Sequence, residues 1–274
     1  MSDSDSDDDN QNGFALEPVH HAAIAGNLAA LRLELEMGAS PDCVGHFWGI
    51  KCTPLIILCS NSISGPCFNG PDDIRLQGVQ LLLAAGASPD RVEGMQGSYE
   101  SALCNAAYLG DPAVVKLLIA AGADPTQADV NGWTALHAVA CWGPRTSRKA
   151  SCAVVLLRAG ADVNAVYNAG SDEVWTPLMW CLQGAGGLNT RHSYVLPVLL
   201  RAGATLDMAS IDRYRDRVGH AYLAKVHAAG GWKRYAQAHT ARLAPIFAKV
   251  FPHARLPPEL VSHIVDLWAH VGYY

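Results

Sequence analysis

The chain has 274 residues and is poor in charge: only 16% are Asp, Glu, Lys or Arg, and the net charge is −5. A half-hydrophobic chain of this kind is not a disordered polyelectrolyte, and it lacks the basic excess of a strong nucleic-acid binder. It has no apolar run of the ~18 residues that a membrane helix needs. It opens on Ser2, Asp3, Ser4, Asp5 and Ser6, which is not the pattern of a secretory signal. Its eight cysteines are therefore read as reduced thiols rather than a disulfide framework. No C-x-x-C occurs, and the spacings among Cys43, Cys52, Cys59 and Cys67 match no common zinc pattern. The histidines show no metal-ligand pairing on one helix face. The glycine-rich stretch Gly184-Ala185-Gly186-Gly187 lacks the Lys-Ser/Thr of a phosphate loop. Nucleophile elbow, HExxH and paired-carboxylate motifs are missing as well. These absences predict a non-catalytic monomer in the cytoplasm or nucleus, with no cofactor, metal, nucleic-acid or membrane partner.

What is present is repetition. Five apolar runs end in a Gly-Ala pair: Gly38-Ala39, Gly86-Ala87, Gly122-Ala123, Gly160-Ala161 and Gly203-Ala204. Upstream of each lies a second shared phrase. In chain order these are Glu17-Pro18-Val19-His20, Thr53-Pro54-Leu55, Ser101-Ala102-Leu103, Thr134-Ala135-Leu136-His137 and Thr176-Pro177-Leu178. Ser or Thr caps a helix start, and Pro suits the first helical position, where no amide bond is lost. Small pairs such as Ala22-Ala23 and Ala106-Ala107 let helices pack closely. Gly26 and Gly110 break the chain between two helices, and each closing Gly supplies a left-handed C-cap.

The phrase resembles the ankyrin repeat, whose signature is T-P-L-H-x-A. From Leu103 to Gly122 is 19 residues, and Val19 to Gly38 is also 19. Gly122 to Leu136 adds 14, which completes the ~33-residue period of that family. The resemblance implies an all-α solenoid of paired antiparallel helices with hairpin-like fingers, which recognises proteins. His20 and His137 fall on the signature histidine, which implies a structural tie between repeats. A degenerate sixth unit is read from Asp216, Gly219, Tyr222 and Leu223, which repeat the spacing of Asp129, Gly132, Ala135 and Leu136. Cys59, Cys104 and Cys181 fall in helix slots expected to be buried.

Three units are longer than the period allows. The excess falls between the paired helices, near Asn61–Asp73, Gly143–Lys149 and Gly184–His192. The basic run Gly143–Lys149 reads as a solvated loop. Three fingers are also long, and aromatic residues concentrate in the fingers: Trp48, Trp133 and Trp175, with Phe47, Tyr99 and Tyr167. Their polar companions are His46, Arg91, Asp129, Asn131, Asp172 and Glu173. Two readings stand: these residues anchor a basic or mixed protein partner on the concave face, or the rings pack finger against finger, which would favour a structural scaffold.

The ends differ from the middle. The Ser/Asp run within residues 1–13 is expected to be a disordered acidic tail. The repeat array takes residues 14–242. In residues 243–274, Pro257 and Pro258 precede Leu260, Val261, Ile264, Val265, Leu267 and Trp268 at helical spacing. The start Leu256-Pro257-Pro258-Glu259-Leu260-Val261 resembles the opening of an F-box or the end of a SOCS box. That resemblance implies a helix that docks a ubiquitin-ligase subunit through Leu260, Ile264, Leu267 and Trp268; the other reading is a cap that seals the last repeat.

Overall fold

A computed structural model of the chain describes residues 14–47, 50–60, 67–91, 101–141, 146–168, 170, 175–184, 194–205, 220–238 and 241. The acidic tail and residues 242–274 lie outside them. The described chain is a stack of helix pairs: α1 (Pro18–Ala25) with α2 (Leu28–Glu36), α3 (Pro54–Cys59) with α4 (Asp72–Ala84), and α5 (Ala102–Leu109) with α6 (Pro112–Ala120). The stack continues with α7 (Ala135–Ala140) and α8 (Thr146–Arg158), then α9 (Pro177–Gly184) and α10 (Val195–Arg201), and α11 (His220–Ala228) follows. First helices pack on first helices, α1 on α3, α3 on α5, α5 on α7 and α7 on α9. This is the all-α repeat solenoid that the phrase spacing predicts.

The caps follow from the phrase. The side chains of Thr53 and Ser101 accept from the amides of Ile56 and Cys104 at 3.3 and 3.0 Å, which satisfies donors that a helix start leaves unpaired. The phrase apolar residue is the core peg of each repeat. Val19, Leu55, Leu103, Leu136, Leu178 and Leu223 are all at most 2% exposed. Each such side chain stabilises the stack by about 1.5–3 kcal/mol. Leu223 therefore fills the peg position that the sixth unit assigns to it. Four residues before the closing Gly, Leu82, Leu118, Leu156 and Leu199 are 0% exposed. The first repeat carries Glu34 at that position instead, and it is only half-buried.

The first finger is a true sheet. β1 (Phe14–Ala15) pairs with β2 (Gly45–Phe47), which pairs with β3 (Ile50–Cys52), all antiparallel. Later fingers are tied by single bridges, Ala128 with Thr134 and Tyr167 with Trp175. A side-chain ladder joins consecutive finger bases. The Asp42 carboxylate accepts from the Ser88 amide at 3.0 Å, the Asp90 carboxylate from the Asp124 amide at 3.0 Å, and the Asn164 side-chain oxygen from the Thr205 amide at 2.9 Å.

The long units solve their junctions by exchanging one residue. Eleven positions before the closing Gly, the first and third repeats carry Asn27 and Asp111, and the second and fourth carry Arg75 and Lys149. Asn27 and Asp111 are N-caps of the second helix, and the first helices there end in left-handed glycines, Gly26 at φ 64° and Gly110 at φ 72°. Arg75 and Lys149 point the other way, into the end of the shortened first helix. Arg75 donates to the Leu58 carbonyl at 2.6 Å and the Phe68 carbonyl at 3.1 Å. Lys149 Nζ donates to the Cys141 carbonyl at 2.8 Å and lies 4.6 Å from the Tyr108 ring centre. A cation at a helix C-terminus meets unpaired carbonyls and the negative end of the dipole. Lys149 is thus 1% exposed, which corrects the reading of a solvated loop for this residue. In the earlier insertion Phe68 is also buried: it is 3% exposed and fills the notch left by Gly26.

Candidate interaction surface

Fingers and first helices form one face of the stack, and its aromatic centre lies between the fourth and fifth repeats. Asp129 sets the turn: one carboxylate oxygen accepts from the amides of Asn131 and Trp133, both at 2.8 Å. Gly132 follows at φ 88°, and a side chain there would run into the Val166 carbonyl of the next finger. That close approach lets the Asn168 amide donate to the Asn131 carbonyl at 2.8 Å. Tyr167 and Trp175 exchange a reciprocal backbone pair at 2.8 Å.

Trp133 is enclosed by this arrangement. Its ring stacks on His137 at 5.4 Å and meets Tyr167 and Trp180 edge-on at 5.0 and 5.1 Å. Trp175 contacts Trp180 at 5.5 Å. Such ring pairs add about 0.5–1.5 kcal/mol each beyond their area. Trp133 is 3% exposed and Tyr167 9%. Of the two readings given for the finger aromatics, these two rings therefore follow the packing one. They support the face from beneath and do not present themselves to a partner, because close finger contact leaves no room for solvent.

His137 locks the same junction. Its Nδ1 accepts from the Thr134 amide at 3.2 Å, and its Nε2 donates to the Trp175 carbonyl at 3.1 Å. Burial pushes its pKa down to about 4, so the ring is neutral near pH 7 and keeps one donor and one acceptor. His20 repeats the arrangement in the first repeat. It accepts from the Glu17 amide at 3.0 Å, and its Nε2 reaches the Cys43 carbonyl at 3.2 Å. Burial lowers its pKa as well. Cys59, Cys104 and Cys181 are buried, and none of the eight cysteines is in a disulfide. Burial raises the thiols of Cys59, Cys104 and Cys152 to about 12, 11 and 12, which makes them poor nucleophiles.

The other expected contact residues are dispersed. His46 is exposed on β2 opposite Lys51, and Phe47 pairs with Ile50. Arg91 is exposed, Asp129 and Asn131 are half-buried, and Trp175 is half-buried. Trp48, Tyr99, Asp172, Glu173 and the stripe Leu260, Ile264, Leu267 and Trp268 lie outside the described residues. The surface also carries residues that finger-based reasoning missed. Trp180 and Tyr108 project from first helices, two and five residues after the peg leucine. Trp180 falls on the unspecified position of the phrase, so that signal was legible, whereas Tyr108 lies beyond the phrase. Tyr108 is 36% exposed, and Val130 and Val166 on adjoining fingers are 75% and 50% exposed.

Charge is segregated as well. By sequence, the finger segments 39–52, 87–100, 123–133 and 161–175 hold nine acidic and two basic residues. Their net −7 is more negative than the −5 of the whole chain. Among the described residues no three His, Cys, Asp or Glu side chains converge to hold a metal, and no helix is long and apolar enough to cross a membrane.

A family model for ankyrin repeats, in three copies, matches residues 72–167 and 103–208. The E3 ubiquitin-protein ligase KEG of Arabidopsis thaliana is 26% identical over 161 residues. That alignment covers 59% of this chain and 9% of the ligase, so the chain spans under a tenth of that relative.

Proposed function

The chain belongs to the ankyrin-repeat family, and from that premise we propose that its finger and first-helix face holds an extended segment of a protein partner. One observation carries the reading. Val130 and Val166, 75% and 50% exposed, sit on adjoining fingers held rigid by the buried ring cluster. A rigid surface loses little ordering entropy on binding. The acidic fingers suit a partner that presents Lys or Arg beside an aliphatic residue. The reading also enlists as contacts His46, Arg91, Asp129, Asn131 and Trp175, and by sequence Phe47, Trp48, Tyr99, Asp172 and Glu173. The test is quantitative affinity capture with the wild-type chain and a Val130→Asp/Val166→Asp variant of unchanged melting temperature. Loss of one set of captured proteins supports the reading, and identical capture overturns it.

A second reading makes the protein a ubiquitin-ligase substrate adaptor, with residues 14–242 as the array and 243–274 as the docking segment. It rests on the Leu256-Pro257-Pro258-Glu259-Leu260 start and on the ligase named among the relatives. A full-length Leu260→Asp/Ile264→Asp variant that loses ligase subunits but keeps other partners supports this reading. Equal recovery assigns the segment to capping.

A further inference from the structure

The second helices differ in length in a pattern that places one contact between repeats that are not neighbours. Asp72 and Thr146 begin α4 and α8 at 14 residues before Gly86 and Gly160, whereas Pro112 begins α6 only 10 before Gly122. The helices flanking the third repeat therefore overhang it by four residues, about 6 Å of helix. Across that gap Arg148 at the start of α8 donates to the Asp72 carboxylate at the start of α4, at 2.8 Å. The other arm of Arg148 lies 3.7 Å from Asp111 Oδ1. Asp111 is the N-cap of α6 in the repeat between, and its side chain is 2% exposed. One guanidinium thus joins three consecutive repeats.

We propose that Arg148, Asp72 and Asp111 form a strap that makes repeats two to four one cooperative unit and fixes the curvature of the stack over them. A solenoid held only by neighbour contacts has stability that sums over adjacent pairs, and its ends open independently. The strap adds a next-nearest-neighbour term, because α4 and α8 are separated by α6. Asp111 strengthens it: this carboxylate also accepts from the Ala113 and Val114 amides at 3.2 and 3.4 Å. It is therefore held in place before Arg148 arrives. The planar fork of Arg serves both carboxylates at once, which a lysine ammonium does less well. The inference is independent of which partner the opposite face binds.

The test is a double-mutant cycle on the full chain, with Asp72→Asn, Arg148→Gln and the pair, followed by urea unfolding at low salt. The Arg148 and Asp72 side chains are 40% and 36% exposed, so solvent screens them. The expected coupling is about two- to fivefold in the unfolding equilibrium constant. It should shrink in 1 M salt, where the screening length falls to about 3 Å. Amide exchange gives a second reading: Arg148→Gln should speed exchange of the hydrogen-bonded amides of α4, which begin with the Arg75 N–H bound to the Pro71 carbonyl, two repeats away. Arg148→Lys should retain part of the coupling. Additive single effects together with unchanged exchange in α4 would overturn the strap.

Discussion

Acid should unlock the junction between the fourth and fifth repeats through one residue. His137 is 0% exposed, and its Nδ1 accepts from the Thr134 amide and lies 2.9 Å from the Thr134 hydroxyl, so a proton there displaces the amide bond and charges a buried ring. The folded ring resists protonation down to about 4, whereas an unfolded histidine takes a proton near 6.5. Between those values the unfolded chain binds the extra proton, and stability is lost as the pH falls. At ~1.4 kcal/mol per pH unit, the full window is worth about 3 kcal/mol. His137→Gln should cost about 1–3 kcal/mol near pH 7, where the tie to the Trp175 carbonyl is broken. Because the variant does not carry this proton linkage, the gap between it and the wild type should close on acidification. Urea unfolding of both proteins at pH 7, 6, 5 and 4.5 measures this directly, since His20 and the carboxylates are common to both. A gap that stays constant from pH 7 to 4.5 would refute the argument.

Three further outcomes follow from the same geometry. Lys149, held down to about 8 by burial, should make the wild type gain about 3 kcal/mol over Lys149→Met as the pH rises from 8 to 10.5, since the unfolded ammonium holds its proton longer; parallel pH profiles of the two in denaturant titrations would contradict it. Gly132→Ala should cost about 3 kcal/mol or more, because positive φ adds to a clash with the Val166 carbonyl. Gly38→Ala, with the same sign of φ and open space around it, should cost only about 1 kcal/mol, so thermal melts separate strain from collision. In the native state Cys59, Cys104 and Cys152 should resist iodoacetamide at pH 8 while half-exposed Cys67 reacts; mass spectrometry of the labelled peptides checks the order.

The sequence alone determined the period, the helix pairs and the pegs. Thr53-Pro54-Leu55 and its relatives write capping, helix start and burial into three adjacent letters, and such local chemistry needs no tertiary context. The closing glycines are legible for the same reason, since only the backbone at that point requires φ above zero. The structural role of His20 and His137 was legible through the family resemblance of the phrase that holds them. The fate of side chains that reach across repeats could not be read this way. Along the chain Trp133 and Tyr167 read equally as exposed anchors or as packed rings, and the close approach at Gly132 decides by enclosing them. Lys149 looks solvated in a basic loop, yet a first helix two residues shorter than α1 or α5 gives its ammonium a carbonyl to cap. Asp72 and Arg148 are 76 residues apart, and only the overhang of two long helices across a short one brings them together. Local rules fix which turn each residue belongs to; the stacking of turns decides which residues meet, because that depends on the lengths of helices in other repeats.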